Sequence, residues 1–188
     1  CLEVRRMEVL VAAWHAIRRN AETSQQLLTK QRARKFGENL PANLRKIQRQ
    51  LHKGYKFSKA HGALPPKGNN KLGKRPIVVA PLPDRIVQRA ILDVLQSERS
   101  SVGVQRVLST PTSIGGIPGR GVDSAIELFQ ARVDAGDQYI AGSDIKNFFT
   151  KIPRLKVLAF LKEDGLDEDF IGLVADALSV ELENADRM

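Results

Sequence analysis

The first 54 residues carry apolar side chains at three- and four-residue spacing, which predicts three amphipathic helices. Trp14 belongs to the first apolar stripe and is expected in the core. The second helix is predicted from a cap at Thr23 or Ser24 to about Phe36, and the third is predicted to end at Gly54. The stripes of the first and third helices consist of Val4, Met7, Leu10, Val11, Trp14 and Ile17, and of Leu40, Leu44, Ile47 and Leu51.

The middle of the chain combines turn-forming residues with a short apolar run. Pro65, Pro66 and the Gly-Asn-Asn segment at 68–70 are typical of turns, and the run at 76–80 predicts a strand that leaves a hairpin. Apolar spacing from Pro83 to about Gln96 predicts a well-packed helix. Residues 98–113 are expected to form a connection with little regular structure.

The last third of the chain predicts three helices and one strand. One helix follows the glycine-rich stretch at 115–121, a second runs from Pro153 to about Gly165, and a third runs from a cap at Asp167 to about residue 178. The apolar run at 139–143 predicts a short buried strand that ends at Asp144. Helices combined with a hairpin and a separate strand define an α+β fold class.

Charge adds a preference for a polyanionic partner. The 188 residues include 30 Lys and Arg against 21 Asp and Glu, which gives a formal net charge of +9 and a pI near 9.9. Basic residues dominate between Arg5 and Arg89, and acidic residues outnumber them between Asp134 and Asp186. Such a charge distribution attracts nucleic acid whatever the fold, although a generic basic domain would share it.

The sequence lacks the residue patterns that several other classes of protein require. A single Cys excludes an internal disulfide framework, as is usual in a reducing cytosol, and no apolar run reaches the length of a membrane span. His15, His52 and His61 are scattered and form no metal-binding cluster. The sequence contains neither a phosphate-binding glycine loop nor a nucleophile elbow. We therefore expect a cytoplasmic protein without a membrane partner.

Five short motifs occur in a fixed order. They are Tyr-Lys-Phe-Ser at 55–58, Lys-Arg-Pro-Ile-Val-Val at 74–79, Asp-Arg-Ile-Val-Gln at 84–88, Ile-Pro-Gly-Arg-Gly at 117–121 and Asp-Ile-Lys-Asn-Phe-Phe at 144–149. In this order they resemble the fingers and early palm of reverse transcriptases, especially the bacterial group II intron and retron-like branch. The resemblance covers about residues 40–182. It departs from the family pattern at 113–117, usually richer in aromatic residues, and at Thr150, commonly an Asp.

The resemblance implies an arrangement of domains. Residues 1–54 would form a helical N-terminal extension, 55–136 the fingers with their hairpin and helices, and 137–188 the beginning of a right-hand polymerase palm. A working reverse transcriptase also needs a later Asp-Asp hairpin and a thumb, which this sequence does not contain. We therefore expect the chain to be a piece of a longer bacterial protein and to be inactive by itself as a polymerase.

A candidate catalytic site centres on Asp144. A carboxylate at the end of a strand can hold a hard cation such as Mg²⁺, although it more often caps a helix or forms a turn. The resemblance implies that Asp144 binds both Mg²⁺ ions, with Mn²⁺ as a substitute, and that the Ile145 carbonyl completes one of them. It also implies that Arg75 and Lys67 contact the triphosphate of the incoming nucleotide. Phe149 would lie under the sugar as a steric gate, or serve as a core aromatic of the palm.

A second set of residues is predicted to contact nucleic acid. Basic residues on the outer face of the third helix, on the hairpin and on the Pro-Gly-Arg loop would hold the RNA template and primer, although solvated helix faces and loop-to-helix junctions have similar sequences. These residues are Arg45, Arg49, Lys53, Lys71, Lys74, Gly119 and Arg120.

The sequence therefore predicts part of an enzyme that extends a primer with deoxynucleoside triphosphates on an RNA template, together with the remaining palm and thumb. The alternative is a non-catalytic RNA-binding or maturase-like module of polymerase fold. An intron, retron, defence or diversity-generating context remains open.

Overall fold

The computed structural model describes residues 2–66, 73–145 and 151–187. The chain divides into a first unit, Cys1–Val94 with Asp167–Met188, and a second unit, Leu95–Leu166. Within the described residues the structure is mainly helical with a two-stranded antiparallel sheet, which confirms the predicted α+β class. The domain boundaries implied by the resemblance stay a prediction.

The helices are numbered here in chain order, and a 3₁₀ turn at Glu3–Arg5 precedes the first of them. They are α1 (Met7–Thr23), α2 (Leu27–Glu38), α3 (Leu40–His52), α4 (Leu82–Leu95), α5 (Val102–Leu108), α6 (Val122–Asp134), α7 (Arg154–Glu163) and α8 (Glu168–Leu178). A second 3₁₀ turn lies at Ala185–Arg187.

In the first unit, α1, α2 and α3 confirm the three helices predicted for the N-terminal part. Their apolar stripes form a shared core in which Trp14 is 1% exposed, as predicted, and its ring lies 5.0 Å from that of Phe36. Gly37 borders the indole ring, and a Cβ atom there would make an ordinary van der Waals contact with it at 3.4 Å. Burial of an aromatic side chain of this size is among the larger single contributions to a small core.

The predicted cap of the second helix was wrong. Helix α1 continues through Thr23, and α2 begins at Leu27 without a side-chain cap. Ser24 instead forms a local turn, in which its hydroxyl accepts a hydrogen bond from the Gln26 N–H at 3.1 Å. A Ser between two helical stretches can serve either as a cap or as a turn former, and spacing does not distinguish the two.

The predicted hairpin is present in the first unit. Strands β1 (His61–Ala63) and β2 (Ile77–Val79) are antiparallel, with Gly62 opposite Val78, and a further bridge joins Pro66 to Lys74. Its tip, residues 67–72, lies outside the described residues. Helix α4 follows the second strand directly and confirms the helix predicted over this part of the chain.

Helix α8 completes the first unit. The Asp167 carboxylate accepts a hydrogen bond from the Phe170 N–H at 2.9 Å, which confirms the predicted cap. Phe170, Leu173 and Val174 of this helix lie in the core, whereas Leu178 at its end is 44% exposed.

In the second unit, α6 and α7 were predicted, whereas α5 corrects the expectation of an irregular connection at 98–113. The first turn of α5 is stabilised by Asp164, whose carboxylate accepts hydrogen bonds from the N–H groups of Gly103 at 2.8 Å and Val104 at 3.0 Å. This partner lies about sixty residues further along the chain. Ser101 lies at the N-cap position but forms no side-chain capping bond, so the local sequence does not identify the group that satisfies the first turn of α5.

The strand predicted at 139–143 is also wrong. Residues 138–145 have no regular secondary structure, and Tyr139 and Ile140 are 93% and 76% exposed. An apolar run becomes a strand only when another strand satisfies its backbone groups, and the described residues provide no such neighbour to this segment.

Candidate functional site

The base of the hairpin presents two cationic side chains. Arg75 donates its backbone N–H to the Pro65 carbonyl at 2.8 Å, which ties it to the opposite arm, while its side chain and that of Lys74 are exposed. Neither side chain has an acidic partner among the described residues. Both cations are thus available to an anionic ligand. Lys67 and Lys71, also assigned to this hairpin, lie outside the described residues.

A buried carboxylate in the first turn of α4 anchors the segment that leads into the hairpin. Asp84 is 2% exposed and accepts hydrogen bonds from the Tyr55 hydroxyl at 2.6 Å and the Ser58 N–H at 2.9 Å. Burial, followed by the hydrogen bond and charge of Asp84, raises the pKa of Tyr55 far above its usual value. Helical spacing could have indicated that Asp84 is buried, since it shares a face of α4 with the buried Val87 and Ile91.

Helix α3 carries the predicted row of basic residues. Arg45, Arg49 and Lys53 follow one another at four-residue intervals and are exposed, while Leu44, Ile47 and Leu51 of the same helix are buried. At 1.5 Å per residue the row extends about 12 Å along the helix axis. No acidic side chain of the described residues forms an ion pair with it. Phosphates of a nucleic-acid strand follow one another at shorter intervals than these three cations. Each cation of the row can therefore find a phosphate along the strand.

In the second unit, Gly119 and Arg120 lie in the loop before α6. Gly119 is exposed and has a φ of 73°, a conformation that favours glycine and keeps the backbone accessible. The Arg120 guanidinium has a structural task that the sequence did not reveal. Its Nη1 donates to the carbonyl oxygens of Thr110 at 2.5 Å and Ser113 at 2.7 Å, and so fixes the preceding loop. Its predicted contact with template would use the other guanidinium nitrogens.

Asp144 and Ile145 are both exposed, and Phe149 lies outside the described residues. A carboxylate and an adjacent carbonyl oxygen are ligands of the type that Mg²⁺ prefers, but the ion takes about six oxygen ligands. Within residues 2–66, 73–145 and 151–187, no group of three or more His, Cys, Asp or Glu side chains could hold a metal ion. The two residues therefore fit part of a coordination shell, to which other ligands would have to be added.

No family model matches the chain. It is 32% identical over 107 residues to an uncharacterized 91 kDa protein in cob intron of Schizosaccharomyces pombe, a match that includes 57% of this chain. The chain spans only 12% of the length of that relative.

No helix in the described part of the chain is long and apolar enough to cross a bilayer.

Proposed function

We propose that this chain is the fingers and first part of the palm of a reverse transcriptase, within a complete protein that extends a primer on an RNA template. The observation that carries the proposal is the hairpin. The ordered motifs predicted it, and it presents Lys74 and Arg75 without acidic partners among the described residues. The similarity to an uncharacterized protein in an intron adds support, because the motifs resemble the group II intron branch of reverse transcriptases.

The hairpin would bind the incoming deoxynucleoside triphosphate. A guanidinium stays charged and can bind two phosphate oxygens at once, so Arg75 is the proposed principal contact, with Lys67 as a second cation. Phe149 would lie against the sugar and exclude a 2′-hydroxyl. The metal ligands in this proposal are the Asp144 carboxylate and the Ile145 carbonyl. When bound there, Mg²⁺ supplies the charge that activates the primer 3′-hydroxyl and stabilises the leaving pyrophosphate.

Template and primer would lie on the basic surfaces. The exposed row on α3, together with Lys71, Lys74, Gly119 and Arg120, contacts the phosphate backbone in this proposal. If about five phosphates are neutralised, the logarithm of RNA affinity falls with the logarithm of salt concentration at a slope of roughly −3.5 to −4.5. The remaining palm and the thumb are the proposed protein partners. The apolar residues that α6 exposes, among them Ile126 and Phe129, offer them a packing surface.

The deciding experiment uses the complete protein with Asp144→Asn, a substitution that keeps the shape of the side chain and removes its charge. We expect nucleotide addition to a primer to fall below a few per cent of wild type, because the metal needs that charge. RNA affinity in a filter-binding assay should stay within about twofold, since the carboxylate does not contact phosphate. Glu127→Gln, an equally exposed carboxylate on α6, is the matched control and should leave both measurements unchanged.

Two results would contradict the proposal. Retained polymerisation by Asp144→Asn would remove this residue from the metal site. A complete wild-type protein that binds RNA with the expected salt dependence but extends no primer would instead be a non-catalytic RNA-binding or maturase-like module.

A further inference from the structure

The outer edge of the hairpin is covered by residues 181–184, which follow α8 and belong to the same unit. The Ala60 N–H donates to the Glu181 carbonyl at 2.8 Å, and the Glu183 N–H donates to the Ala60 carbonyl at 2.9 Å. These two bonds form a parallel bridge between Ala60 and Leu182. Residues 181–184, which we call the strap, therefore lie beside β1 on the side opposite to β2.

Asn184 continues this pairing with its side chain. Its Oδ1 accepts a hydrogen bond from the Gly62 N–H at 2.8 Å, and its Nδ2 donates to the Gly62 carbonyl at 2.9 Å. Gly62 is buried at the centre of β1 and lies opposite Val78 of β2. One amide side chain thus satisfies both backbone groups of a buried residue, groups that would otherwise lack partners at the edge of the sheet.

Two ion pairs flank these hydrogen bonds. Lys59 Nζ lies 3.2 Å from Glu181 Oε2, and His61 Nδ1 lies 2.7 Å from Glu183 Oε1. All four side chains are more than half exposed, so solvent screens them and each pair contributes little. The attachment of the strap therefore depends mainly on the backbone bonds at Ala60 and on Asn184.

The strap bears on the proposed nucleotide site through the hairpin. The strap holds β1 in place, and β1 in turn pairs with β2. Because β2 begins two residues after Arg75, the strap also influences the position of Arg75. We propose that Asn184 is a positioning residue, which holds the hairpin so that Arg75 meets the triphosphate of the incoming nucleotide. This inference rests on the proposed function for its last step, because Arg75 must be the nucleotide contact. The attachment of the strap itself does not.

The first test measures amide hydrogen exchange by NMR on the 188-residue chain. Asn184→Ala should raise the exchange rate of the Gly62 amide about tenfold or more, since a hydrogen-bonded amide exchanges only when its bond opens and the substitution removes that bond. The Ala60 amide should also exchange faster, and the amides of α1 should not change. The control is Asp186→Ala, which changes a residue of the 3₁₀ turn that follows the strap. Unchanged exchange at Gly62 would show that Asn184 does not attach the strap to β1, independently of the proposed function.

The second test measures primer extension by the complete protein. Asn184→Ala should raise KM for the deoxynucleotide by about threefold to tenfold, with kcat and RNA affinity within about twofold, because the chemical groups themselves are intact. Asn184→Gln, which keeps the amide, should recover part of the loss. In an Arg75→Ala background the additional effect of Asn184→Ala should disappear, since both substitutions act on one contact.

The outcomes separate the two proposals. If Arg75→Ala raises KM and Asn184→Ala does not, the positioning role is wrong and the nucleotide contact stands. If exchange at Gly62 rises but neither substitution changes KM, then Arg75 does not contact the nucleotide, and the positioning role fails with it.

Discussion

The two units of this chain use the same kind of helix with opposite results. In the first unit the apolar stripe of α1 is covered, and Leu10 and Trp14 are at most 1% exposed. In the second unit α6 has a similar stripe, but Val122 and Ile126 are 76% and 59% exposed, and none of its residues is buried. Helical periodicity thus identifies which face is apolar, but it does not tell whether anything packs on that face.

The contrast extends to the cores. The described residues of the second unit include only Val104 and Leu161 as buried side chains, whereas the first unit buries side chains from α1, α2, α3, α4 and α8. Since burial of apolar surface is the main favourable term in folding, the first unit should hold most of the stability of the chain.

The largest expected effect comes from Trp14→Ala, which removes a fully buried aromatic side chain from the first unit. We expect a loss of about 3–5 kcal/mol in the free energy of unfolding, from lost transfer energy and the cavity left beside Phe36. Urea unfolding followed by far-UV circular dichroism measures it. The matched control is Phe129→Ala on α6, where the ring is 49% exposed and the loss should stay within about 0.5 kcal/mol. Equal losses would mean that α6 is covered in solution and would remove the contrast between the units.

The parts of this fold that sequence could predict are those determined by local spacing. The helices of the first unit, the hairpin arms and the Asp167 cap each depend on residues within one or two turns of the chain. The start of α5 could not be predicted, because its partner Asp164 is distant in sequence. The prediction of a strand at 139–143 was wrong because a strand also needs a neighbouring strand, and apolar composition gives no information on that neighbour.

The same distinction applies to the candidate site. The exposed positions of Arg45 and Arg49 followed from helical spacing, and a basic helix face opposite an apolar one is visible in sequence. The anchoring roles of Asp84, Arg120 and Asn184 are not visible in the sequence. Each depends on a backbone or hydroxyl group that lies between 7 and 122 residues away. Polar residues of this kind look like ordinary caps, turns or surface charges until their partners are placed.

A smaller effect is expected at alkaline pH from the hydrogen bond between Tyr55 and Asp84. The pKa of Tyr55 is raised in the folded protein by burial and by Asp84, so the tyrosine binds its proton more tightly than in the unfolded chain. Its contribution to stability is therefore complete below about pH 10, the usual tyrosine value, and decreases as pH rises above it. Urea unfolding between about pH 8 and 11 should show this decrease in the wild type.

Tyr55→Phe should remove that part of the pH dependence, and at neutral pH it should cost about 1.5–3 kcal/mol, because the lost hydrogen bond is made to a buried carboxylate. The second unit supplies the matched control, because Tyr139 is 93% exposed and Tyr139→Phe should change neither measurement. An alkaline decrease that is identical in wild type and Tyr55→Phe would show that the Tyr55 hydroxyl does not hold its proton through Asp84.

The smallest expected effect tests the second unit at acidic pH. The nearby Ser101 hydroxyl, followed by the N–H groups of Gly103 and Val104, lowers the pKa of Asp164 in the folded protein. The two N–H groups carry the argument, because they donate hydrogen bonds to the carboxylate, whereas the Ser101 Oγ forms none with the described residues. This contribution is present above the unfolded value of about 3.9 and is lost as pH falls through the lower folded value. The amide chemical shifts of Gly103 and Val104 should therefore move together in an NMR titration, with a midpoint below about pH 3.9. Asp164→Asn should abolish that movement and fray α5, while Glu127→Gln on α6 should leave it in place. If the two amides titrate with the same midpoint in Asp164→Asn, another group sets their environment, and the link between Asp164 and α5 is wrong.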